Sequence, residues 1–118
     1  MGLEAATKAL LDAGITYDSV EAAFVGYVSG ASTTGQATLY QLGLTGISIT
    51  NVNNTCSTGS TALVHATAPV RAGDAHCALA LGFERMAPGA LGTNPAFPDR
   101  SSPKGPAPRS RGARLARL

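Results

Sequence analysis

An α/β fold with a mostly parallel sheet is what this sequence predicts, and three observations predict it. Runs with helical spacing alternate with short β-branched or apolar runs, in the order helix, strand, helix, strand, helix, strand. The run Val20–Val28 is nearly continuous in apolar character, which suits a strand covered on both faces. Glycines stand where the helical patterns stop, as helix C-termini favour.

Taken in order, Leu3, Ala6, Leu10 and Ala13 follow helical spacing, and Gly14 supplies the stop. "VEAAFVGYV", Val20–Val28, is an apolar run of strand length. "SGASTTG" reads as a loop, and "GQATLYQLGLTG" as a short helix stopped at Gly43 or Gly46. "ISITNV", Ile47–Val52, is a β-branched strand. "STGSTALVHATAPVRAG", Ser57–Gly73, reads as a helix with Leu63, Ala66, Thr67 and Val70 on one stripe. Pro69 is expected to kink or end that helix near Ala68, because proline removes a hydrogen bond and clashes with the preceding turn. "HCALALGF", His76–Phe83, is a third buried strand. Right-handed crossovers would join the strands. Three strands make a small sheet with both edges open, and the chain opens on a helix with no strand before it, so the sequence reads as an incomplete unit.

Beyond Met86 the character changes. Six of the seven prolines lie from Pro88 onward, and residues 94–118 are rich in Pro, Ser and Arg. Such a segment buries too little apolar surface to offset its ordering entropy, so it is expected to be a disordered tail. Two regions follow: 1–93, a folded domain, and 94–118, the tail. Charge divides in the same way. Residues 1–98 carry three basic and six acidic groups, whereas 99–118 carry six basic groups and Asp99. The body therefore offers no basic patch for nucleic acid, and the tail has no aromatic residues among its charges to stack on bases. No apolar run approaches the roughly 18 residues a membrane span needs. Two Cys with no spacing motif exclude a disulfide framework and a Cys-rich zinc site, and suit a reducing compartment. No metal-ligand cluster, Walker loop or dinucleotide fingerprint occurs, so no bound cofactor or metal is expected.

The chemistry concentrates in "NVNNTCSTGSTALVHA", Asn51–Ala66. With a strand before it and a helix after it, Cys56 lies at the carboxyl edge of the sheet, where open α/β sheets bind ligands. The first N–H groups of a helix lack internal partners and carry partial positive charge. A thiolate placed there is stabilised and is a better nucleophile at neutral pH. The same N–H groups can hold an oxyanion. Gly59, with Ser57, Thr58 and Ser60, would let substrate or backbone approach closely, and Asn53, Asn54 and Thr55 suit capping and tight turning. Free Cys is also a common packing residue, and the residues alone leave Cys56 open between the two roles. Cys77, inside a strand, reads as packing. His65 is nine residues from Cys56, which at about 100° per residue puts it on the opposite helix face. His76 is at the amino end of its strand, the wrong edge. Neither His is a convincing general base.

"AFVGYVSGASTTGQATLYQLGLTGISITNVNNTCSTGSTAL" followed by "ALALGFERMAPGALG" resembles the amino-terminal half of thiolases, most closely the sterol carrier protein X type, called lipid-transfer proteins in bacteria. The resemblance covers residues 3 to about 92 and ends near Thr93. It implies a partial thiolase fold, an incomplete βαβαβ-type half. It implies an acyl-CoA C-acyltransferase of lipid metabolism that cleaves 3-ketoacyl-CoA, with coenzyme A as substrate and product. The family's nucleophile falls on Cys56, and its backbone N–H would serve one oxyanion hole. The family's dimers place the strand before the Cys at the interface, so Ile47–Asn53 would lie against a partner. The pairing of "NNTCSTGSTAL" with "LGFERM" argues against a decarboxylating condensing enzyme, which shares the Cys at a strand–helix junction. The family's catalytic His, its second Cys and its Gly-rich oxyanion segment find no match here. The sequence therefore reads as an amino-terminal fragment, inactive alone, whose tail resembles out-of-frame translation. The other reading is a non-catalytic lipid-transfer or subunit-binding module that completes a split thiolase. The compartment expected is cytoplasmic, or peroxisomal in a eukaryote, the closing Ala-Arg-Leu loosely resembling a peroxisomal address.

Overall fold

A computed structural model describes residues 1–87. The expected tail, 94–118, and the boundary at residue 93 lie outside the described residues. The elements are α1 (Gly2–Ala13), β1 (Ala22–Gly26), α2 (Thr34–Leu39), β2 (Ser48–Val52), α3 (Thr58–Ala72) and β3 (Ala78–Gly82). The three strands form one parallel sheet in the order β2-β1-β3. The α/β class and the alternating order predicted from the sequence are both present.

The sheet has two unlike faces. Ala23 and Val25 of β1 stand in register with Leu79 and Leu81 of β3 and with Ile49 and Asn51 of β2. These aliphatic residues join Ala6 and Leu10 of α1, Leu39 of α2, and Tyr17, Val20 and Tyr27 in the main core. Leu10 is buried through the helical spacing that also buries Gly2 and Ala6. Gly14 ends α1 at φ 67°, its N–H donating to the carbonyls of Leu10 and Leu11.

The alternate strand residues face α3. Gly26 and Gly82 close this side, and a Cβ on Gly26 would stand 2.7 Å from the Thr58 backbone oxygen. Thr58, Ala62 and Ala66 are the buried residues of α3. Small side chains on both partners thus let helix and sheet approach closely.

Four expectations are corrected here. Of the apolar stripe expected on α3 only Ala66 is buried: Leu63 is 58% exposed, Val70 44% exposed and Thr67 exposed, while Thr58 and Ala62 join Ala66 against the sheet. The contact requires small residues, so the larger ones face outward. Pro69 neither ends nor breaks α3, which continues to Ala72 and stops at Gly73, φ 80°. The bond a proline cannot make would have gone to the carbonyl of His65, an exposed residue, where water can replace it. α2 ends at Leu39 rather than at Gly43 or Gly46, both of which lie at positive φ in the connection to β2. Cys77 precedes β3 rather than lying inside it, half-buried against the main core.

Candidate active site around Cys56

Cys56 occupies a short 3-10 turn, Thr55–Ser57, between β2 and α3, and its side chain is exposed. The strands are parallel, so this turn lies at the carboxyl edge of the sheet together with the ends of β1 and β3. Two contacts fix the first turn of α3 there. Thr58 packs on Gly26, and the Cα of Gly59 would be 3.3 Å from a Cβ on Gly82.

The turn is held by its own polar residues. The Asn53 side-chain carbonyl accepts the Thr55 N–H at 3.1 Å. The Asn54 N–H donates to the Thr58 hydroxyl at 2.7 Å, and that hydroxyl donates to the Thr55 carbonyl at 2.6 Å. The Asn54 amide donates to the Thr61 hydroxyl at 2.9 Å. The Ser57 N–H and hydroxyl both donate to the Asn54 carbonyl. Thr55 takes φ 46°, the sole positive φ on a non-glycine among the described residues. That conformation costs about 1–3 kcal/mol and persists where surrounding bonds enforce it. It turns the chain sharply from β2 so that the next side chain, Cys56, projects at the helix start. Ser57 gives α3 no side-chain cap, and the Thr58 N–H donates to the Thr55 carbonyl, so α3 starts on the backbone of the preceding turn.

The same edge carries a second polar set. The Asn51 side-chain oxygen accepts the Gly35 N–H at 3.0 Å, and its amide donates to the Gln36 oxygen at 2.7 Å. Gln36 in turn donates to the Ile49 carbonyl at 3.1 Å. α2, too short to be stable alone, is thereby tied to β2. Glu84, two residues beyond β3, accepts the N–H groups of Val28 and Ser29 just beyond β1. Its carboxyl is held below the usual range chiefly by the Val28 N–H.

The other candidates lie apart from this edge. His65 sits on exposed α3 surface with its ring stacked on Phe24 at 6.1 Å. His76 precedes β3 at the amino edge, its side chain 94% exposed and its Nδ1 3.5 Å from Glu21. The His76 backbone N–H bonds Glu21 and is the chief reason that carboxyl lies below its ordinary value. A shallow cavity of about 330 Å³ is also at the amino edge, lined by Tyr17, Tyr40, Leu44, Thr45 and Ile47, and does not belong to the Cys56 site. Among the described residues no cluster of His, Cys, Asp or Glu could hold a metal, and no helix is long and apolar enough to cross a membrane.

The sequence points to Cys56 and its Asn/Thr/Ser surroundings, Thr58 among them, but not to Asn51 or Glu84. Thr58 stands four residues before Ala62 and eight before Ala66, on one helix face. Glu84 offered only a lone acidic residue after a strand.

The fold and site define a class: a parallel α/β sheet with an exposed cysteine at a tight strand-to-helix turn on the sheet's carboxyl edge. The particular family follows from comparison: the thiolase amino-terminal domain matches residues 1–101, and the chain belongs to the thiolase family. The match extends past Thr93, where the resemblance of the quoted segments ends. The chain is 57% identical over 104 residues to rabbit (Oryctolagus cuniculus) sterol carrier protein 2, covering 87% of this chain and 19% of that protein. It is 59% identical over 101 residues to the chicken (Gallus gallus) sterol carrier protein 2, covering 85% of this chain and 18% of that protein. A Caenorhabditis elegans non-specific lipid-transfer protein-like 2 is 47% identical over 88 residues, covering 75% of this chain and 21% of that protein. The chain thus spans about a fifth of the length of these relatives.

Proposed function

We propose that this chain carries the nucleophile of a thiolase-type acyl transfer in lipid metabolism, with Cys56 as the acyl acceptor. The observation that carries the reading is the exposed Cys56 in the strained turn between β2 and α3, at a helix start without a side-chain cap. In this reading the Cys56 thiolate attacks the keto carbon of a 3-ketoacyl-CoA. A carbon–sulfur bond forms, the C2–C3 bond breaks, and acetyl- or propionyl-CoA leaves after taking up a proton. A second CoA thiol then attacks the thioester and frees the Cys56 thiolate. The N–H groups at the start of α3 would hold the carbonyl oxygen as it gains charge. Neither His65 nor His76 stands where that proton is needed. A positioned acid/base contributes about 10²–10⁴-fold, so this chain alone is expected to be acylated once rather than to turn over.

The test is simple acyl exchange. Octanoyl-CoA is incubated with the 118-residue chain and the adduct is mapped by mass spectrometry. An octanoyl group on Cys56, absent in Cys56→Ser and retained in Cys77→Ser, is expected. No adduct, or equal slow labelling of the two cysteines in folded protein, would sink the reading. A cytoplasmic setting, or a peroxisomal one in a eukaryote, belongs to the same proposal and suits two unpaired thiols.

Self-association through β2 is the second part of the proposal. β2 is an edge strand with Ser48 and Thr50 exposed, and Ile47–Asn53 would pair with the same segment of a second copy. Sedimentation at rising concentration checks it: Thr50→Pro should leave a monomer at concentrations where the parent chain is a dimer, and a parent that stays monomeric would refute it. A non-catalytic reading, lipid transfer or completion of a split thiolase, is favoured by the relatives' names and by exposed Leu63 and Val64 on α3. Under it, Cys56→Ser would leave binding of a fluorescent acyl lipid unchanged.

A further inference from the structure

We infer that Glu84 is a positioning residue, a carboxylate clamp that fixes the β1–α2 loop as a wall beside Cys56; the part of this concerning Cys56 rests on the acyl-transfer reading above. One carboxylate here accepts three backbone N–H groups. Oε2 takes Val28 at 2.7 Å and Ser29 at 3.2 Å, and Oε1 takes Arg85 at 3.0 Å. Charge-assisted bonds of this kind are about twice as strong as neutral ones. Two of the three donors are more than fifty residues away in sequence, so the carboxylate joins the exits of β1 and β3.

Those exits flank the start of α3. Val28 follows Gly26, which packs on Thr58, and Glu84 follows Gly82, which packs on Gly59. The clamp therefore bridges the two strand ends on which the first turn of α3 rests. The loop it holds, Val28–Thr33, is rich in Gly, Ala and Ser and exposed, and such segments open easily without ties. A second tie closes the loop across its width. The Tyr27 hydroxyl donates to the Ala31 carbonyl at 2.7 Å and accepts the Thr34 N–H at 3.3 Å. The Tyr27 ring stacks on Phe83, the neighbour of Glu84, at 5.9 Å. The exit of β3 thus governs the loop through a ring and a carboxylate side by side. A loop held in this way limits what approaches the carboxyl edge by shape, and a long acyl group depends on its position more than a small reagent does.

Hydrogen exchange and two reagents of different size test this on the 118-residue chain, Glu84→Gln and Glu84→Ala. Loss of the carboxylate should speed exchange of the Val28 and Ser29 amides about 10–100-fold, least in Glu84→Gln, which keeps one acceptor. Amides of Ala62 and Ala66 in α3 should be unmoved and serve as the internal reference. If Glu84→Ala loses that reference through unfolding, Glu84→Gln decides. Acylation of Cys56 by octanoyl-CoA should fall about 10-fold or more, while its alkylation by iodoacetamide stays within about 2-fold. Unchanged exchange at Val28 and Ser29 would overturn the clamp, and a parallel fall of both reagent rates would overturn its positioning role. Should the parent chain take no octanoyl group, the acyl-transfer reading fails and the two amides alone decide the clamp.

Discussion

The two faces of the sheet are built on opposite rules. Against α1 and α2 the core is filled by volume, with Leu39, Val20 and Val25 fully buried among Leu79, Leu81 and two tyrosines. Against α3 it is filled by proximity, with Gly26, Gly82, Ala62 and Ala66 letting backbones meet. Volume supplies stability through apolar area, whereas proximity supplies position. The close face brings the start of α3 against the ends of β1 and β3 and so presents Cys56 at the sheet's carboxyl edge.

Breaking the voluminous face should cost most. Leu39→Ala, at a fully buried residue, is expected to destabilise by about 2–5 kcal/mol, the transfer term plus the cavity left behind. Denaturant unfolding measures it. If the fold survives, the labelling preference for Cys56 over Cys77 should survive too, because Leu39 belongs to the main core rather than to the face that α3 covers. The close face should respond differently. Gly26→Ala places a Cβ 2.7 Å from both the Thr58 Cγ2 and its backbone oxygen, and backbone cannot rotate aside. A cost of about 1–3 kcal/mol is expected, together with loss of selective Cys56 labelling, since α3 must move out. Selectivity that persists in Gly26→Ala would show that position does not depend on this contact.

Acid separates the two edges of the sheet more gently. Glu84 at the carboxyl edge and Glu21 at the amino edge both have carboxyls below the ordinary value of 4.5, chiefly through the Val28 and His76 N–H groups. A carboxyl depressed in the folded state contributes stability that is complete above its unfolded value and is lost as pH falls through its folded value. Stability should therefore decline below about pH 4.5. Glu84→Gln and Glu21→Gln should each flatten part of that decline, and an unchanged acid limb in both would refute the assignment. Exposure of both groups to solvent keeps the effect modest.

The volume face was legible in the sequence and the proximity face only in part. Val20–Val28 and His76–Phe83 announce buried strands through continuous apolar character, and Leu3, Ala6 and Leu10 announce a helix through spacing. Hydrophobic pattern rewards large residues, so the stripe it gave α3 joined Leu63 and Val70 to Ala66, when Thr58 and Ala62 share the buried face with Ala66. The α3–sheet contact arises from small side chains, Thr58, Ala62 and Ala66, whose regular spacing a pattern weighted toward large apolar residues passes over. The place of Cys56 was legible because it depends on local order, a strand and then a helix. Glu84 was not, because both of its distant donors, Val28 and Ser29, are reached only once β1 and β3 pair.

Gly59 gives the smallest expected effect and the sharpest division between stability and site. Unlike Gly26, it has open space where a Cβ would stand, with nothing within 4 Å. It lies in the first turn of α3, so alanine fits the backbone and favours the helix, and a gain of at most about 0.5–1 kcal/mol is expected. If the open space is where an acyl chain approaches Cys56, Gly59→Ala should nevertheless slow acylation by octanoyl-CoA several-fold while iodoacetamide labelling holds. Stability and acylation would then move in opposite directions at one residue, which packing alone does not produce. Parallel changes in both would mean that the space beside Gly59 is unused, and that the small residues of α3 serve only its approach to the sheet.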